Sequence, residues 1–551
     1  MKVKFFRGLV LLSLLLASFF VSTHEIFADT IGQGQIFSVN SKFDQFSRIS
    51  LNATLRNISN RAYFYVEDRY WDGLSFKEKT SLTNEINTLA LEFDQNIYPR
   101  ETQFWGSEPN PGIDNDSKLT VVLEDLISGN GGYFDPSNQY SKDVNKNSNE
   151  REIIFVSVES GSFAKVFLAH EFQHLISYNQ KEFLRNSQED VWLNELRSEY
   201  SISLLGYNDN FNNSSLQRRV ELFLQNPSDS LTEWPNVSAD YSQAALFGQY
   251  LSEQFGPIIL KHTIGLSEVG IDSINQFLST NGYKERFNDV FGNWTVANYL
   301  NNAVVDRRYG YQAEELKNIH VEPQQSFLSY PSQYIFDYNL KSWQSAWYQY
   351  SIPSLPADKA VKITYTPNYL FRVLYADNLG RVGVLNNPGY ITNPGGLNSV
   401  VLMPINESET RDFRTEETPR RISLDIGFVD NASAQSVVDG ALIKRPNEPE
   451  TYVVEGKYKR YLRPEIIKLY GHLDASRAIE LDDRIFNSYT TANYVRNVND
   501  KKVYAVWPDG TKHWLNMSGD YFTQSGRDWG AIFTINDLEL NSYKTGEDIK
   551  Q

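Results

Sequence analysis

"LAHEFQHLISYNQ", Leu168–Gln180, sets two histidines four residues apart with a glutamate between them. On a helix, residues four apart share a face, so His170 and His174 can reach one ion. Glu171 projects from a neighbouring direction and can hydrogen-bond a water held beside that ion. Two neutral imidazoles suit zinc, which in hydrolytic sites takes a third protein ligand and keeps a position open for water. Such a water ionises near neutral pH, and Glu171 is placed to take its proton and pass it later to a leaving amine. The bland alternative is an amphipathic helix whose histidines are satisfied core residues. The apolar flanks Phe163, Val166, Phe167, Leu168, Phe172, Leu175 and Ile176 predict a buried helix with its histidines turned inward. Ser160 or Ser162 is its expected cap.

A third ligand is within reach of this pair. "VWLNELRSEY" (191–200) follows the polar turn "RNSQED" and begins a second helix. The interval from His174 to Glu195 leaves room for a helix end, a loop and a returning helix. Glu199 lies one turn beyond Glu195 on the same face, and Asn194 immediately precedes it. In this geometry Glu195 binds zinc, with Asn194 and Glu199 in support; Glu199 accepts a hydrogen bond from the free ring nitrogen of a ligand histidine. Taken alone, "NELRSEY" reads as an ordinary charged helix face.

His170-Glu171-x-x-His174 followed by Asn194-Glu195-x-x-Ser198-Glu199 resembles the glutamate-zincin pattern of thermolysin-like metallopeptidases. "AHEFQHLI", "WLNE" and the upstream "GGYFDP" and "SNEREIIFV" are more similar to the hyicolysin family of secreted bacterial neutral metalloproteases, over roughly residues 60–260. The resemblance implies a zincin-like domain, one zinc ion and polypeptide substrates. Leu196 departs from the pattern, which has glycine after the ligand glutamate; the bulkier side chain would narrow the site. The Gly-x-Met-Glu-Asn motif of the clan's aminopeptidases is absent from the sequence.

Peptide hydrolysis in this clan uses a Tyr or His donor for the tetrahedral oxyanion. Tyr241, opening "DYSQAALFGQYLSEQF", stands where related enzymes place one; the alternative is a core tyrosine. The segment Gly131, Gly132, Tyr133, Phe134 is either a sheet edge that pairs with an extended substrate or a structural turn. "GIDNDSKL" (112–119) has the alternating acids of a Ca²⁺ loop, but it lacks the expected glycine and puts Lys118 at a ligand position, so it reads mainly as a turn. His262, His320, His472 and His513 have no partners at metal spacing and read as structural or surface residues.

The first residues carry Lys2, Lys4 and Arg7 before an apolar run from Gly8 to Val21, and "IFA" precedes Asp29. That is the layout of a secretory signal peptide, and the run is shorter than the ~20 residues of a spanning helix. Residues 1–28 hold three positive charges and one negative, so their removal takes the net charge from −16 to −18. A chain this acidic offers no phosphate-tracking surface, and no nucleic-acid partner is expected. With no cysteine in the sequence, disulfides, thiolate zinc sites and thiol catalysis are excluded. No membrane span is expected after removal of the leader, and the localisation expected is extracellular or cell-surface.

The length of 551 residues exceeds one ordinary core. Strand patterns at 62–67, 118–126 and 151–160 alternate with a helical period at 76–98, where Leu82, Ile86, Leu89, Leu91 and Phe93 are the candidate buried positions. Mostly helical segments follow at 191–205, 214–225, 240–255 and 271–278. From about residue 325, alternating strands between Pro, Gly and Asn turns have the signature of a β-sandwich. Near the C-terminus "ETYVVEGKYKRYL" (450–462) aligns with "KVYAVWPDGTKHWL" (502–515), and "FNSY" (486–489) with "LNSY" (540–543), a repeat of ~50 residues. These modules resemble tandem tail repeats of bacterial cell-surface proteins, implying a cell-surface ligand. The expected organisation is therefore α+β and multidomain. A signal peptide (1–28) precedes a zincin-like metallopeptidase domain (29–320) of mixed sheet, active-site helix and helical lobe. A β-sandwich (321–438) and tandem modules (439–551) complete it. The rival reading is an adhesion protein whose zinc lobe is structural or degenerate.

Overall fold

AYFYVE, Ala62–Glu67, is buried at every position, which a strand can be only when both faces of its sheet are covered. In the computed structural model it is the third strand of a six-stranded sheet. The strands are β1 (Gly34–Ser38), β2 (Ser50–Ile58), β3 (Ala62–Glu67), β4 (Leu119–Glu124), β5 (Gly132–Phe134) and β6 (Ile153–Ser157), in the order β1-β2-β3-β4-β6-β5. β3, β4 and β6 run parallel, while β5 pairs antiparallel with β6 through Tyr133 and Phe155. Tyr63, Tyr65, Val122, Tyr133, Ile153 and Phe155 share one core cluster with Phe37, Leu51 and Leu55. The structure describes residues 29–550 apart from 284, 369, 432–436, 438, 447, 471–472, 482 and 498–499. The leader (1–28) and His472 lie outside the described residues.

The described chain divides into two compact units, one made of residues through Pro99 with Pro109–Glu171, the other of Arg100–Glu108 with Phe172 onward. In the first, α1 (Asp68–Gly73) is followed by α2 (Phe76–Glu92). A reciprocal capping box starts α2: Ser75 accepts from the Glu78 N–H, and Glu78 accepts from the Ser75 N–H. Leu82, Ile86, Leu89 and Phe93 are buried, but Leu91 is 58% exposed. Leu91 is two residues from both Leu89 and Phe93, which turns it to the opposite side of a helix whose period is ~3.6. After α3 (Tyr98–Trp105), the chain reaches α4 (Ala164–Ser177), which crosses from one unit to the other after Glu171. A 3₁₀ turn over Gly161–Phe163 precedes α4, and Ser160 makes no side-chain cap bond. Of the two expected serines, Ser160 therefore does not cap the helix, and a tighter turn leads into it.

In the second unit, α5 (Val191–Leu204), α6 (Ser215–Gln225), α7 (Ser238–Phe255), α8 (Ile258–Ile264), α9 (Gly270–Thr280) and α10 (Phe287–Leu300) build a helical layer. Its core is aromatic: Phe247 packs on Trp294 with ring centres 5.0 Å apart, and Phe287 meets Trp343 edge-on at 4.6 Å. Trp347 Nε1 donates to the Thr295 carbonyl at 3.0 Å, which fixes this layer to the strands that follow. Those strands form two sheets around a shared core that includes Val361, Ile363, Val373, Leu402, Leu424 and Ile426. They are β7 (Gln324–Phe327), β8 (Tyr334–Leu340), β9 (Tyr348–Ser351), β10 (Lys359–Thr366), β11 (Phe371–Asp377), β12 (Val382–Val384), β13 (Gly389–Thr392), β14 (Ser399–Asn406) and β15 (Arg420–Asp430). The sheet orders are β13-β10-β15-β8 and β12-β11-β14-β9-β7.

The tail carries two sheets that share one five-strand order, the second with a sixth strand, Ile549–Lys550, paired parallel to Leu515–Asn516. The first is β19-β16-β17-β18-β20, from β16 (Leu442–Lys444), β17 (Thr451–Glu455), β18 (Tyr458–Leu462), β19 (Ile479–Glu480) and β20 (Thr490–Thr491). The second is β24-β21-β22-β23-β25, from β21 (Tyr494–Asn497), β22 (Tyr504–Val506), β23 (Thr511–Asn516), β24 (Ile532–Ile535) and β25 (Lys544–Thr545). Equivalent lysines serve both: Lys459 Nζ donates to the Phe486 and Tyr489 carbonyls, and Lys512 Nζ to that of Leu540 at 2.5 Å.

Candidate metal centre

α4 is greasy on most sides, with Leu168, Ala169, Phe172, Leu175 and Ile176 fully buried, while His170 and His174 keep partial access to solvent. Beyond its end, a wider π-turn (Tyr178–Phe183) leads to the loop before α5. A buried ion cluster fixes that loop: Glu189 lies 2.7 Å from Arg197 Nη2 and 3.2 Å from Lys181 Nζ. Lys181 also donates to the carbonyls of Thr263, Leu266 and Glu268 at 3.2, 3.0 and 2.6 Å. Burial pulls the Lys181 ammonium down to about 8, with Glu189 opposing the shift. The cluster holds α5 in register beside α4.

That register brings one donor atom each from His170, His174 and Glu195 within 4.8 Å of one another, and among the described residues this is the only such group of three. His174 Nε2 lies 3.4 Å from Glu195 Oε2. Two imidazoles and one carboxylate with partial solvent access are the donor set of an open zinc site. Ser198, on the same face of α5, donates to Gln173 Oε1 at 2.6 Å, and its Oγ lies 3.2 Å from His174 Nδ1. The hydroxyl thereby positions the His174 ring.

Glu171 is nearly buried at 8% exposure and lies against β5. A Cβ built on Gly132 would meet the Phe155 carbonyl oxygen at 2.7 Å and Glu171 Cγ at 3.1 Å; one built on Gly131 would meet the Phe167 ring at 2.1 Å. Phe167 and Glu171 are one turn apart on α4, so this face of the helix rests directly on the glycine backbone. Tyr133 turns the other way. Its ring is stacked between Phe43 and Phe155 at 4.9 and 4.5 Å, and its hydroxyl donates to Glu124 Oε2 at 3.0 Å. Of the four residues 131–134, Tyr133 therefore anchors β5 in the core. β5 ends the order of its sheet, so this segment is an edge strand and not an isolated turn.

Glu199 accepts two hydrogen bonds from Arg219 of α6, from Nε at 2.8 Å and Nη2 at 2.7 Å. The sequence reading assigns this carboxylate a histidine partner; the guanidinium fork engages both of its oxygens. Arg219 also lies over the Tyr241 ring, 4.9 Å from its centre. Burial opposes the charge on Arg219, but the Glu199 carboxylate outweighs it and raises its pKa. Tyr241 is half-buried in the first turn of α7, edge-on to Trp234 at 5.2 Å, and its hydroxyl donates to Asn236 Oδ1 at 2.7 Å. It is not an enclosed core residue. Asn194 Oδ1 is buried without a hydrogen-bond partner among the described residues. Leu196 is fully buried and its side-chain carbons lie 3.1 Å from where a Cβ on Gly248 of α7 would stand. Its bulk is therefore taken up between two helices.

The remaining candidates separate cleanly. In the 112–119 loop, Asp116 N donates to Asp114 Oδ1, Lys118 N to Asp116 Oδ1 and Tyr63 Oη to Asp116 Oδ2, at 2.9, 3.0 and 2.9 Å. The acids close a turn and do not gather into a calcium cage. His320 Nδ1 lies 2.6 Å from the Tyr299 carbonyl oxygen, His513 lies between Thr511 Oγ1 and the Glu547 carbonyl, and His262 packs on Phe277. Arg219, Ser198 and Gln173 escape sequence reading as site-supporting groups. The only signal for Arg219 is an arginine pair on an amphipathic helix, and such pairs usually face solvent.

No family model matches the chain. Two solved periplasmic inhibitors of g-type lysozyme, PliG from Salmonella Typhimurium and a PliG mutant from Escherichia coli, align with 20% of this chain and all of theirs. Their identities are 10% and 9%, with TM-scores of 0.16. The chain is 31% identical over 197 residues to the neutral metalloprotease ShpI of Staphylococcus hyicus, a match spanning 31% of this chain and 42% of that protein.

Proposed function

We propose that this chain is a secreted, zinc-dependent endopeptidase. The observation that carries the reading is the convergence of His170, His174 and Glu195 beside a nearly buried Glu171 that rests on an edge strand. The partial likeness to a neutral metalloprotease supports the same class of chemistry. When bound by these three residues, zinc supplies a Lewis acid that polarises a scissile carbonyl and acidifies water. Glu171 takes the proton of the attacking water and delivers it to the departing amine. The backbone of Gly131–Phe134 aligns an extended polypeptide along the open side of β5, where an edge strand has unpaired N–H and C=O groups. The Tyr241 hydroxyl, on a half-buried ring, donates to the developing oxyanion after leaving Asn236. The leader and the acidic charge favour an extracellular location, and no helix among the described residues is long and apolar enough to cross a membrane.

Metal analysis and casein hydrolysis of the purified protein test this. The expected wild type holds one zinc per chain. Glu171→Gln keeps the metal and loses at least ~10²–10⁴-fold in rate, while Glu195→Ala loses the metal. Unchanged cleavage by Glu171→Gln, or unchanged zinc in Glu195→Ala, overturns the assignment.

A further inference from the structure

The tail carries an open cavity of about 500 Å³ where its first sheet passes to its second, within the ~300–1,000 Å³ of small-molecule sites. The wall from Thr490 to Tyr494 faces Trp507 on one side and Arg527 and Asp528 on another. This is a braced structure. Asp528 Oδ2 accepts from Tyr458 Oη at 2.7 Å and lies 2.8 Å from Lys457 Nζ, while Oδ1 accepts from the Gly530 N–H at 2.9 Å. A buried Arg460–Glu539 pair at 2.6 Å ties β18 of the first sheet to the helix Asp537–Ser542 of the second module.

Three features of the lining define the ligand. First, Trp507 is 49% exposed although one face is stacked on His513 with ring centres 3.7 Å apart, so the exposed half of the indole meets the cavity. Second, Arg527 lines the cavity with its Nη1 donating to Ser525 Oγ and its Nε buried with no acceptor among the described residues, and Asn493 adds an exposed amide. Third, the wall's main chain is already used: Thr490 N donates to Lys457 O, Ala492 N to Lys459 O and Val506 N to Asn493 O. Those three N–H groups are unavailable for strand addition by a peptide. Asp528 is paired with Lys457, and Arg527 is the only Lys or Arg among the described lining residues, so no cation cluster awaits a polyanion.

An aromatic face rimmed by both donors and acceptors suits a ligand with one apolar face and a hydroxyl edge. A sugar ring has this form: its C–H hydrogens meet the negative face of an indole, and each hydroxyl both donates and accepts. We propose that this cavity binds a neutral saccharide, with Trp507 stacking on a ring and Asn493, Arg527 and Asp528 taking its hydroxyls. None of these residues belongs to the metal centre, so the proposal stands apart from the proteolytic reading.

Calorimetric titration of the full-length protein with neutral oligosaccharides tests it, using α- and β-linked hexoses and N-acetylhexosamines. The expected result is saturable binding of at least one of them. Trp507→Ala weakens it about tenfold or more, and Trp507→Phe, which keeps an aromatic face, stays within about threefold of wild type. Arg527→Gln also weakens it. The proposal is overturned if no neutral saccharide binds the wild type, if Trp507→Ala binds as tightly, or if a polyanion or a proline-rich peptide binds the cavity in place of a saccharide.

Discussion

At the scale of single residues, the metal donors could be read from the sequence because helix geometry converts spacing into proximity. His170 and His174 face one direction by periodicity alone, and Glu195 needs only a second helix beside the first. The supporting groups depend on tertiary register, which spacing does not encode. Arg219 is the clearest case: it reaches Glu199 from another helix with a planar fork. Glu199 is 5% exposed and Arg219 18%, so truncating the arginine leaves a carboxylate that water cannot easily solvate. Arg219→Ala is expected to cost about 3–5 kcal/mol, read as a lower urea midpoint at an unchanged slope. Arg219→Lys should recover only part, since an ammonium lacks the bidentate geometry. A double variant that also carries Glu199→Gln should regain much of the loss, because the stranded charge is gone. If Arg219→Ala unfolds at the wild-type midpoint, the pair is solvated and holds nothing in place.

At the scale of elements, helices and strands with unmixed periodicity could be read, and those specified by their neighbours could not. AYFYVE is β3 to the residue, because aromatic and β-branched residues without interruption fit only a covered strand. α10 (FNDVFGNWTVANYL) is buried nearly all round, so it has no polar face to reveal its period. Leu196 reads as an obstruction beside the metal, whereas Gly248 across α7 leaves it a socket. Gly131 and Gly132, at the start of β5, follow the same logic, since their smallness matters only once α4 lies across them. Gly132→Ala therefore tests whether the contact between β5 and α4 positions Glu171. The added methyl meets a backbone oxygen at 2.7 Å and Glu171 Cγ at 3.1 Å, so the strand and the carboxylate must separate. Displacement on the order of 1 Å can cost ~10²-fold in rate. The expected result is a fall in kcat/KM of roughly 10–100-fold with zinc content unchanged; full activity would mean that the strand yields freely and does not place the base.

At the scale of the whole molecule, the sequence's net charge of −16 conceals acids whose pKa the fold raises. Burial pushes Glu124 up to about 8, with Asp44 and Glu67 adding to it against the Tyr133 hydrogen bond. Burial likewise raises Asp229 to about 7 with help from Asp240, Glu455 to about 7 with help from Asp439, and Asp190 to about 6 with help from Glu189. In the unfolded chain these groups titrate near their usual values of about 4. Between about pH 4 and each folded value, the native state holds a proton that the unfolded state has released. Stability must then fall as pH rises through that interval, and level off above about pH 8. Other acids act oppositely: against its burial, hydrogen bonds from Arg151, Tyr65 and Gln33 hold Asp29 below its normal range, and Arg197 and Lys181 do the same for Glu189. Their contribution is present above about pH 4 and lost on further acidification. The two sets together place the stability maximum on the acid side of neutrality, near pH 5. Scanning fluorimetry from pH 3 to 9 should show the thermal midpoint rising to that maximum and declining towards pH 8. Glu124→Gln replaces the most strongly raised of the four with a neutral isostere. Its midpoint should match the wild type near pH 5 and exceed it at pH 8, and a decline as steep as the wild type's would show that Glu124 ionises normally in the folded protein.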